Sequence, residues 1–160
     1  MFAKSSRRQA GFTLVELIAI LMVVGVLAVV AMPKLDAGSS LRNDAARDEA
    51  LAALRLAGQT ALSHRRLVCA EVATGAVTLR IASARGAAAC DTAYAGPDGQ
   101  AAFTANTGAA TFALSPSGAL YFQPDGRVTS DGAGTAVSNR TLTVSNASSI
   151  TISGETGFVR

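Results

Sequence analysis

One ionisable side chain, that of Glu16, lies in an otherwise apolar run of 21 residues from Phe12 to Met32. As a helix this run would be about 31 Å long, close to the roughly 30 Å thickness of a bilayer's hydrocarbon core. A charge at the centre of a membrane helix costs about 2.5–3.5 kcal/mol, and such groups usually have a partner. Glu16 is therefore a candidate for a specific interaction. The alternative is a glutamate that only reaches to the membrane interface.

The other polar residues do not form a recognisable catalytic site. His64 is the sole histidine, and it stands beside two arginines in a predicted helix. Serine and threonine are abundant but have no activating base nearby in the sequence, and no glycine loop follows a phosphate-binding pattern. Asp48 and Glu49 are adjacent on a helix and face different directions. The sequence predicts a protein that is not an enzyme and has no cofactor.

Three aspartates lie in glycine-rich loops, where carboxylates and carbonyls could hold calcium. Asp98, Asp125 and Asp131 show no recognisable ligand spacing, however. Aspartate is also a common turn residue. We therefore predict no metal site.

Basic residues precede the apolar run, and this asymmetry predicts the topology. Lys4, Arg7 and Arg8 lie on its N-terminal side, and the positive-inside rule then keeps the N-terminus in the cytoplasm. Without these three, Lys plus Arg falls from 14 to 11 and equals the 11 Asp plus Glu. The rest of the chain is neutral, so nucleic acid is an improbable partner.

The stretch "GFTLVELIAILMVVGVLAVVAMPKL" resembles the N-terminus of type IV pilins and type II secretion pseudopilins, which carry a class III prepilin signal. The resemblance implies that residues 1–11 are a leader and that a prepilin peptidase cleaves between Gly11 and Phe12 and methylates Phe12. A glycine lets the backbone lie extended in a protease cleft; the alternative is a chance glycine at a helix start. Glu16 matches the acidic residue that, in the resembled family, pairs with the N-terminal amine of a neighbouring subunit. Pro33 matches the proline that bends the helix in that family.

The cysteines lie beyond the apolar run and hence, by the predicted topology, in the periplasm. Cys69 and Cys90 would most simply form a disulfide in that oxidising compartment. The alternative is two unrelated buried thiols. In the chain-entropy account the bond would stabilise the fold by roughly 3 kcal/mol.

The predicted fold class is α+β, a long N-terminal helix packed against a C-terminal antiparallel sheet. We expect a transmembrane helix over 12–33, its amphipathic continuation over 34–66 and a periplasmic β-sheet domain over 67–160. Apolar or small residues recur near helical spacing in the continuation. They are Leu41, Ala45, Leu51, Leu54, Gly58, Ala61 and Leu62. The segment Asp36–Ser40 is a place where the helix could loosen.

Alternating apolar and polar residues after Arg66 predict half-buried antiparallel strands. They lie at 66–72, 76–82, 110–114, 119–123, 127–130, 140–145, 149–153 and 157–160. Residues 83–109 are small and irregular, which predicts an exposed loop with a short strand around Phe103.

The segments "LYFQPDGRVTS" and "TLTVSNASSITISGETGFVR" resemble GspH and FimT-like minor pseudopilins and the minor pilins of mannose-sensitive haemagglutinin pili. The resemblance implies a minor pilin or pseudopilin, a structural subunit of a type IV pilus or type II secretion filament. It would be anchored in the bacterial inner membrane and partnered by prepilin peptidase, other pilin subunits and an inner-membrane assembly platform.

Two alternatives are a DNA-binding minor pilin for DNA uptake and a major filament subunit. The first would need several arginines to converge on one face. They are Arg65, Arg66, Arg80, Arg85, Arg127, Arg140 and Arg160.

Overall fold

The computed structural model describes residues 13–96, 104–106 and 110–160, and for residues 29–39 and 104–106 it describes the backbone alone. Gly11, Phe12, Asp98 and Phe103 lie outside the described residues. The chain divides into two compact units, Met1–Gly38 and Ser39–Arg160, and each is considered by itself. The α+β fold class, a helix followed by antiparallel sheets, is confirmed.

The single long helix, α1, runs from Leu14 to His64. Its backbone is helical through Pro33 and through the segment 36–40, where we expected loosening. A bend at Pro33 stays a prediction. The helix ends two residues before the predicted Arg66, because Arg65 takes a left-handed conformation with φ of 53°. The N–H of Arg66 then donates back to the carbonyl of Ala61 at 3.3 Å, which closes the last turn.

In the unit Ser39–Arg160, the buried face of α1 consists mainly of small residues. Its members are Asn43, Ala46, Ala50, Ala53, Leu54, Ala57, Thr60 and Ala61. The expected stripe is correct at Leu54 and Ala61, which are buried. It is wrong at three exposed positions, Leu41, Ala45 and Leu62, while Leu51 and Gly58 are half-buried. Alanine on the buried face allows the helix to approach the strands closely, so leucine is not needed there.

The strands form two antiparallel sheets rather than the one sheet expected. They are β1 Val68–Ala73, β2 Ala76–Ile81, β3 Thr92–Ala93, β4 Thr104–Asn106, β5 Phe112–Ser115, β6 Leu120–Phe122, β7 Val128–Thr129, β8 Arg140–Val144 and β9 Ile150–Ile152. The first sheet has the order β3-β2-β1-β6-β7, with β4 also paired to β2, and the second has the order β5-β8-β9.

Most of the predicted strands are found, with two differences. The short β3 lies inside the expected loop and pairs with the end of β2, Ile81 opposite Thr92. The last predicted strand is reduced to an isolated bridge between Val159 and Ile152. The short strand expected around Phe103 corresponds to β4, which begins at Thr104 and pairs with β2.

One hydrophobic core joins α1 to both sheets. Its largest fully buried members are Phe122, Leu54, Leu79, Leu120 and Leu142. A backbone hydrogen bond of 2.7 Å from Val128 to Gly154 ties the end of the first sheet to the turn that follows the second. The strands and the helix therefore act as one folded body from Ser39 onward.

Candidate assembly site

The start of α1 is capped by Thr13, and this contact involves Glu16. The N–H of Glu16 donates to the Thr13 hydroxyl at 3.2 Å, and the N–H of Leu17 donates to the Thr13 carbonyl at 3.2 Å. Threonine at the cap with glutamate three residues later is the capping-box pattern. A carboxylate in the first turn also interacts favourably with the positive end of the helix dipole. The first turn of α1 therefore favours an acidic side chain at Glu16 even without a partner subunit.

Sequence analysis missed the role of Thr13, although the signal was present. "TLVE" has the threonine and glutamate at the spacing of a capping box. The hydrophobicity of the surrounding run masks this signal, because Thr13 is followed by a long series of apolar residues. The threonine fixes where the helix begins, and so fixes Glu16 within the first turn.

Beyond Glu16, the described helix of the first unit exposes apolar side chains on every side. The large hydrophobic residues from Leu14 to Leu27 are 45–75% exposed. A shallow groove of about 300 Å³ runs along one face from Glu16 past Ala19, Ile20 and Val23 to Val24. The arrangement can hold another apolar helix or lipid along the groove, with one carboxylate at its end.

Within the described part of the chain, no helical stretch is both long enough and apolar enough to cross a membrane.

In the second unit, Cys69 and Cys90 are joined by a disulfide, with their Cα atoms 6.0 Å apart. Cys69 lies in β1 and Cys90 in the loop that leads to β3. Arg80 donates from Nε to the carbonyl of Cys90 at 3.1 Å and so holds the same loop from β2. The disulfide and the arginine both fix the loop to the first sheet.

The two described loop aspartates bind to their own turns. The Asp125 carboxylate accepts hydrogen bonds from the N–H and the guanidinium of Arg127, and Asp131 accepts from Thr135 and the N–H of Ala136. The N–H of Arg127 is the main cause that lowers the pKa of Asp125 below its ordinary value of 3.8. The N–H of Thr135 is the main cause that lowers the pKa of Asp131. Among the described residues, no three His, Cys, Asp or Glu side chains lie together as a metal site.

The arginines that a nucleic-acid surface would need are in part already engaged. Arg140 is only 5% exposed and donates from Nη1 to the carbonyls of Pro116 and Ser117. Arg127 is paired with Asp125 at 2.7 Å. These two side chains are therefore held within the chain rather than free to contact phosphate.

The N-terminal sequence matches a known family. Residues 6–32 match the family described as the prokaryotic N-terminal methylation motif. This match covers residues 6–11 of the predicted leader and the whole apolar run from Phe12 to Met32. The N-terminal part of the chain therefore carries the prokaryotic N-terminal methylation motif, in agreement with the expected prepilin signal.

The fold of the chain also has a solved counterpart. It is similar to the crystal structure of the type IV minor pilin FimU from Pseudomonas aeruginosa strain PAO1, with a TM-score of 0.50 and 17% sequence identity. The similarity covers 73% of this chain and 90% of the FimU chain. At this identity the likeness concerns the fold. No curated protein sequence matches the chain.

The matched motif contains Gly11, Phe12 and Glu16, whereas Pro33 directly follows it. Of these, the structure describes the side chain of Glu16 alone.

Proposed function

We propose that this protein is a minor pilin or pseudopilin, a structural subunit at or near the tip of a filament assembled from the bacterial inner membrane. The observation that carries the proposal is the methylation motif at residues 6–32, followed by an exposed apolar helix with one carboxylate in its first turn. In this proposal the helix anchors the subunit in the membrane and later joins the filament core.

Cleavage of the leader would provide a charged partner for the Glu16 carboxylate. Cleavage between Gly11 and Phe12 creates a new amine one helical turn before Glu16. N-methylation keeps that amine basic, so it stays charged at neutral pH. Glu16 of one subunit can then neutralise the amine of its neighbour, which favours a fixed axial register over unspecific apolar aggregation. The capping by Thr13 supports this role, because it holds Glu16 in the first turn.

The folded unit Ser39–Arg160 would present its surface to neighbouring subunits in the periplasm. The disulfide between Cys69 and Cys90 suits that oxidising compartment and would stabilise the loop before β3. The similarity of fold to the minor pilin FimU favours a minor subunit over a major one. A DNA-binding role is less supported, since Arg127 and Arg140, two of the arginines it would need, are already engaged within the chain.

The proposal is tested first at the cleavage site. Mass spectrometry of the mature protein should find an N-methylated Phe12 at its start. Gly11→Val should leave an uncut precursor in the inner membrane, because the added side chain hinders an extended backbone in the protease cleft. Gly25→Ala is the matched control, since an added Cβ at Gly25 has no neighbour within 4 Å. A mature start at Met1 or downstream of Ala31 would contradict the proposal.

A second measurement distinguishes a pilus from a secretion filament. A strain that lacks this gene should lose either surface pili or secretion of periplasmic enzymes, and complementation with the wild-type chain should restore the lost property. A strain that keeps both would show that the subunit serves neither filament.

A further inference from the structure

A groove of about 250 Å³ lies in the second unit, between α1 and two turns. The first turn connects β6 to β7, and the second follows β9. Sites for small molecules usually measure about 300–1,000 Å³, so this groove is small for such a ligand. Its size suits a single large side chain of a protein partner. Its walls include Arg55, Gly58, Leu62, Phe122, Arg127 and Phe158.

The groove presents large apolar side chains that the fold leaves uncovered. Leu62 is 51% exposed and lies on the helix wall, whereas Phe158 is 60% exposed and lies on the wall formed by the second turn. The ring of Phe122 lies between α1 and the first sheet and also lines the groove. A single exposed hydrophobic side chain is ordinary, but two that flank one concave surface are typical of a binding site.

Gly58 opens the groove, and the fold does not require a glycine there. Glycine destabilises a helix interior relative to alanine. A Cβ at Gly58 would lie 3.5 Å from Cδ1 of Phe122, which is an ordinary contact. Gly157 differs, because a Cβ there would clash with the carbonyl oxygen of Gly126. Packing therefore requires Gly157 but not Gly58, and the effect of Gly58 is to leave the Phe122 ring accessible from the groove.

The groove also carries an uncompensated positive charge. Arg55 donates from Nε to the carbonyl of Val159 at 3.1 Å, and its terminal nitrogens donate to no described residue. Arg127 lines the groove too, but it is paired with Asp125 at 2.7 Å. None of the described residues that line the groove is acidic. An anionic group of a partner would therefore meet the Arg55 guanidinium without a negative side chain to repel it.

We propose that the groove binds a segment of a different protein, one that presents a large apolar side chain with a carboxylate beside it. The apolar side chain packs between Leu62 and Phe158 onto the ring of Phe122, and the carboxylate pairs with the terminal nitrogens of Arg55. The inference goes beyond the proposed function, because joining a filament core through the apolar helix requires no groove in the second unit.

The size and charge of the groove favour a protein partner over a lipid surface. Protein interfaces concentrate their binding energy in a few anchor side chains that fill small pockets. A membrane surface is instead recognised by clusters of basic residues. Here one guanidinium stands beside one apolar groove, which matches a single anchor with a single carboxylate.

Peptide selection tests the chemistry of the partner. A phage-displayed library of random short peptides is selected on the processed full-length chain in detergent micelles. Enriched peptides should share a large apolar residue with Asp or Glu next to it or one position away. Fluorescence anisotropy of the labelled synthetic peptides then gives their affinities for the wild type and for each variant.

Filling the groove should remove the binding. Gly58→Leu places a side chain over Phe122 and should lower the affinity of the enriched peptides about tenfold or more. Ala52→Leu is the matched control, because Ala52 is exposed on the same helix and does not line the groove. Gly58→Ala should weaken the peptides less but raise the melting temperature, because alanine is the better helix former. It also decides the test if Gly58→Leu does not fold.

Charge reversal should change the preferred peptide. Arg55→Glu should lower the affinity for the acidic peptides about tenfold, because it places like charges together. A new selection on Arg55→Glu should enrich Lys or Arg beside the apolar residue. Arg85→Glu changes an exposed arginine outside the groove and should leave the affinities unchanged.

Three results of the selection would overturn the proposal: no enriched peptide, enriched peptides without an acidic residue, or affinities that persist when folded variants carry Gly58→Ala, Gly58→Leu or Arg55→Glu. Self-association of the wild type that Gly58→Leu abolishes would also overturn it, because a second copy would then occupy the groove. Thermal transitions show which variants are folded. Cleavage after Gly11 is measured separately by mass spectrometry, so this proposal and the proposed function can fail independently.

Discussion

The apolar side chains in the first part of α1 and those in the second part differ in their exposure to solvent. From Leu14 to Leu27 the large apolar side chains are exposed on all sides, whereas from Ala46 to Ala61 a face of small residues is buried against two sheets. The later part of the helix therefore finds its partner within the chain. The earlier part does not find one among the described residues of its own unit. Under the proposed function, its partner would be lipid or another subunit.

This difference indicates where function lies in the molecule. Residues on the buried face of α1 stabilise the domain, and their replacement should act through folding. Residues of the exposed part should act through assembly and leave folding intact. Glu16 belongs to the exposed part, although its contact with Thr13 gives it a local structural role as well.

Replacing Glu16 should produce the largest effect, the loss of assembly without loss of folding. Glu16→Leu should insert into the membrane, be cleaved after Gly11 and keep the Cys69–Cys90 disulfide, but fail to enter filaments. The reason is that the neighbour's amine would stay unpaired in an apolar environment. Co-purification with partner pilins after shearing or solubilisation measures the loss.

Glu16→Gln separates the charge from the cap. Glutamine can also occupy the third position of a capping box, but it has no charge. If pairing with the amine is the role of Glu16, Glu16→Gln should fail in assembly as Glu16→Leu does. Wild-type assembly of Glu16→Gln would instead assign the residue to the helix start.

A pair of identical substitutions in the two parts of α1 should separate folding from assembly. Leu54→Ala removes a fully buried side chain and should lower the free energy of unfolding by about 2–5 kcal/mol. Leu21→Ala changes a side chain that is 62% exposed, so the unfolding of the domain should be almost unchanged. Chemical denaturation of both full-length variants in the same detergent measures the difference. Equal losses would contradict the division of the helix.

The sequence predicted the features that depend on local pattern. The fold class, the long helix and most of the strands follow from periodicity and turn residues. The methylation motif is a short linear signal, so the segment that contains Gly11, Phe12 and Glu16 could be located without a structure; the roles of these residues stay predictions. Phe112 and Leu142 are likewise recognisable as strand residues, but their meeting in the core depends on the pairing of β5 with β8.

The features that were missed depend on contacts between distant residues. The burial of alanines rather than leucines on α1 follows from how closely the sheets approach, and helical spacing alone does not decide it. The strand β3 has only two residues, and it forms because β2 offers an edge and the disulfide of Cys90 holds the loop nearby. The separation into two sheets depends on β6 pairing with β1 while β5 pairs with β8.

Acid should produce the smallest effect, a loss of thermal stability in the unit Ser39–Arg160. The pKa of Asp91, lowered mainly by the Ser83 hydroxyl, and those of Asp125 and Asp131 lie below 3.8 in the folded chain. A lowered pKa contributes stability above the unfolded value and loses it as the pH falls through the folded value. The melting temperature should therefore be flat from neutral pH to about pH 5 and fall below about pH 4. Asp131→Asn should reduce this fall. Asp44→Asn removes an exposed carboxylate without such hydrogen bonds and serves as its control. A fall that begins near pH 6 would show that other groups govern the acid response.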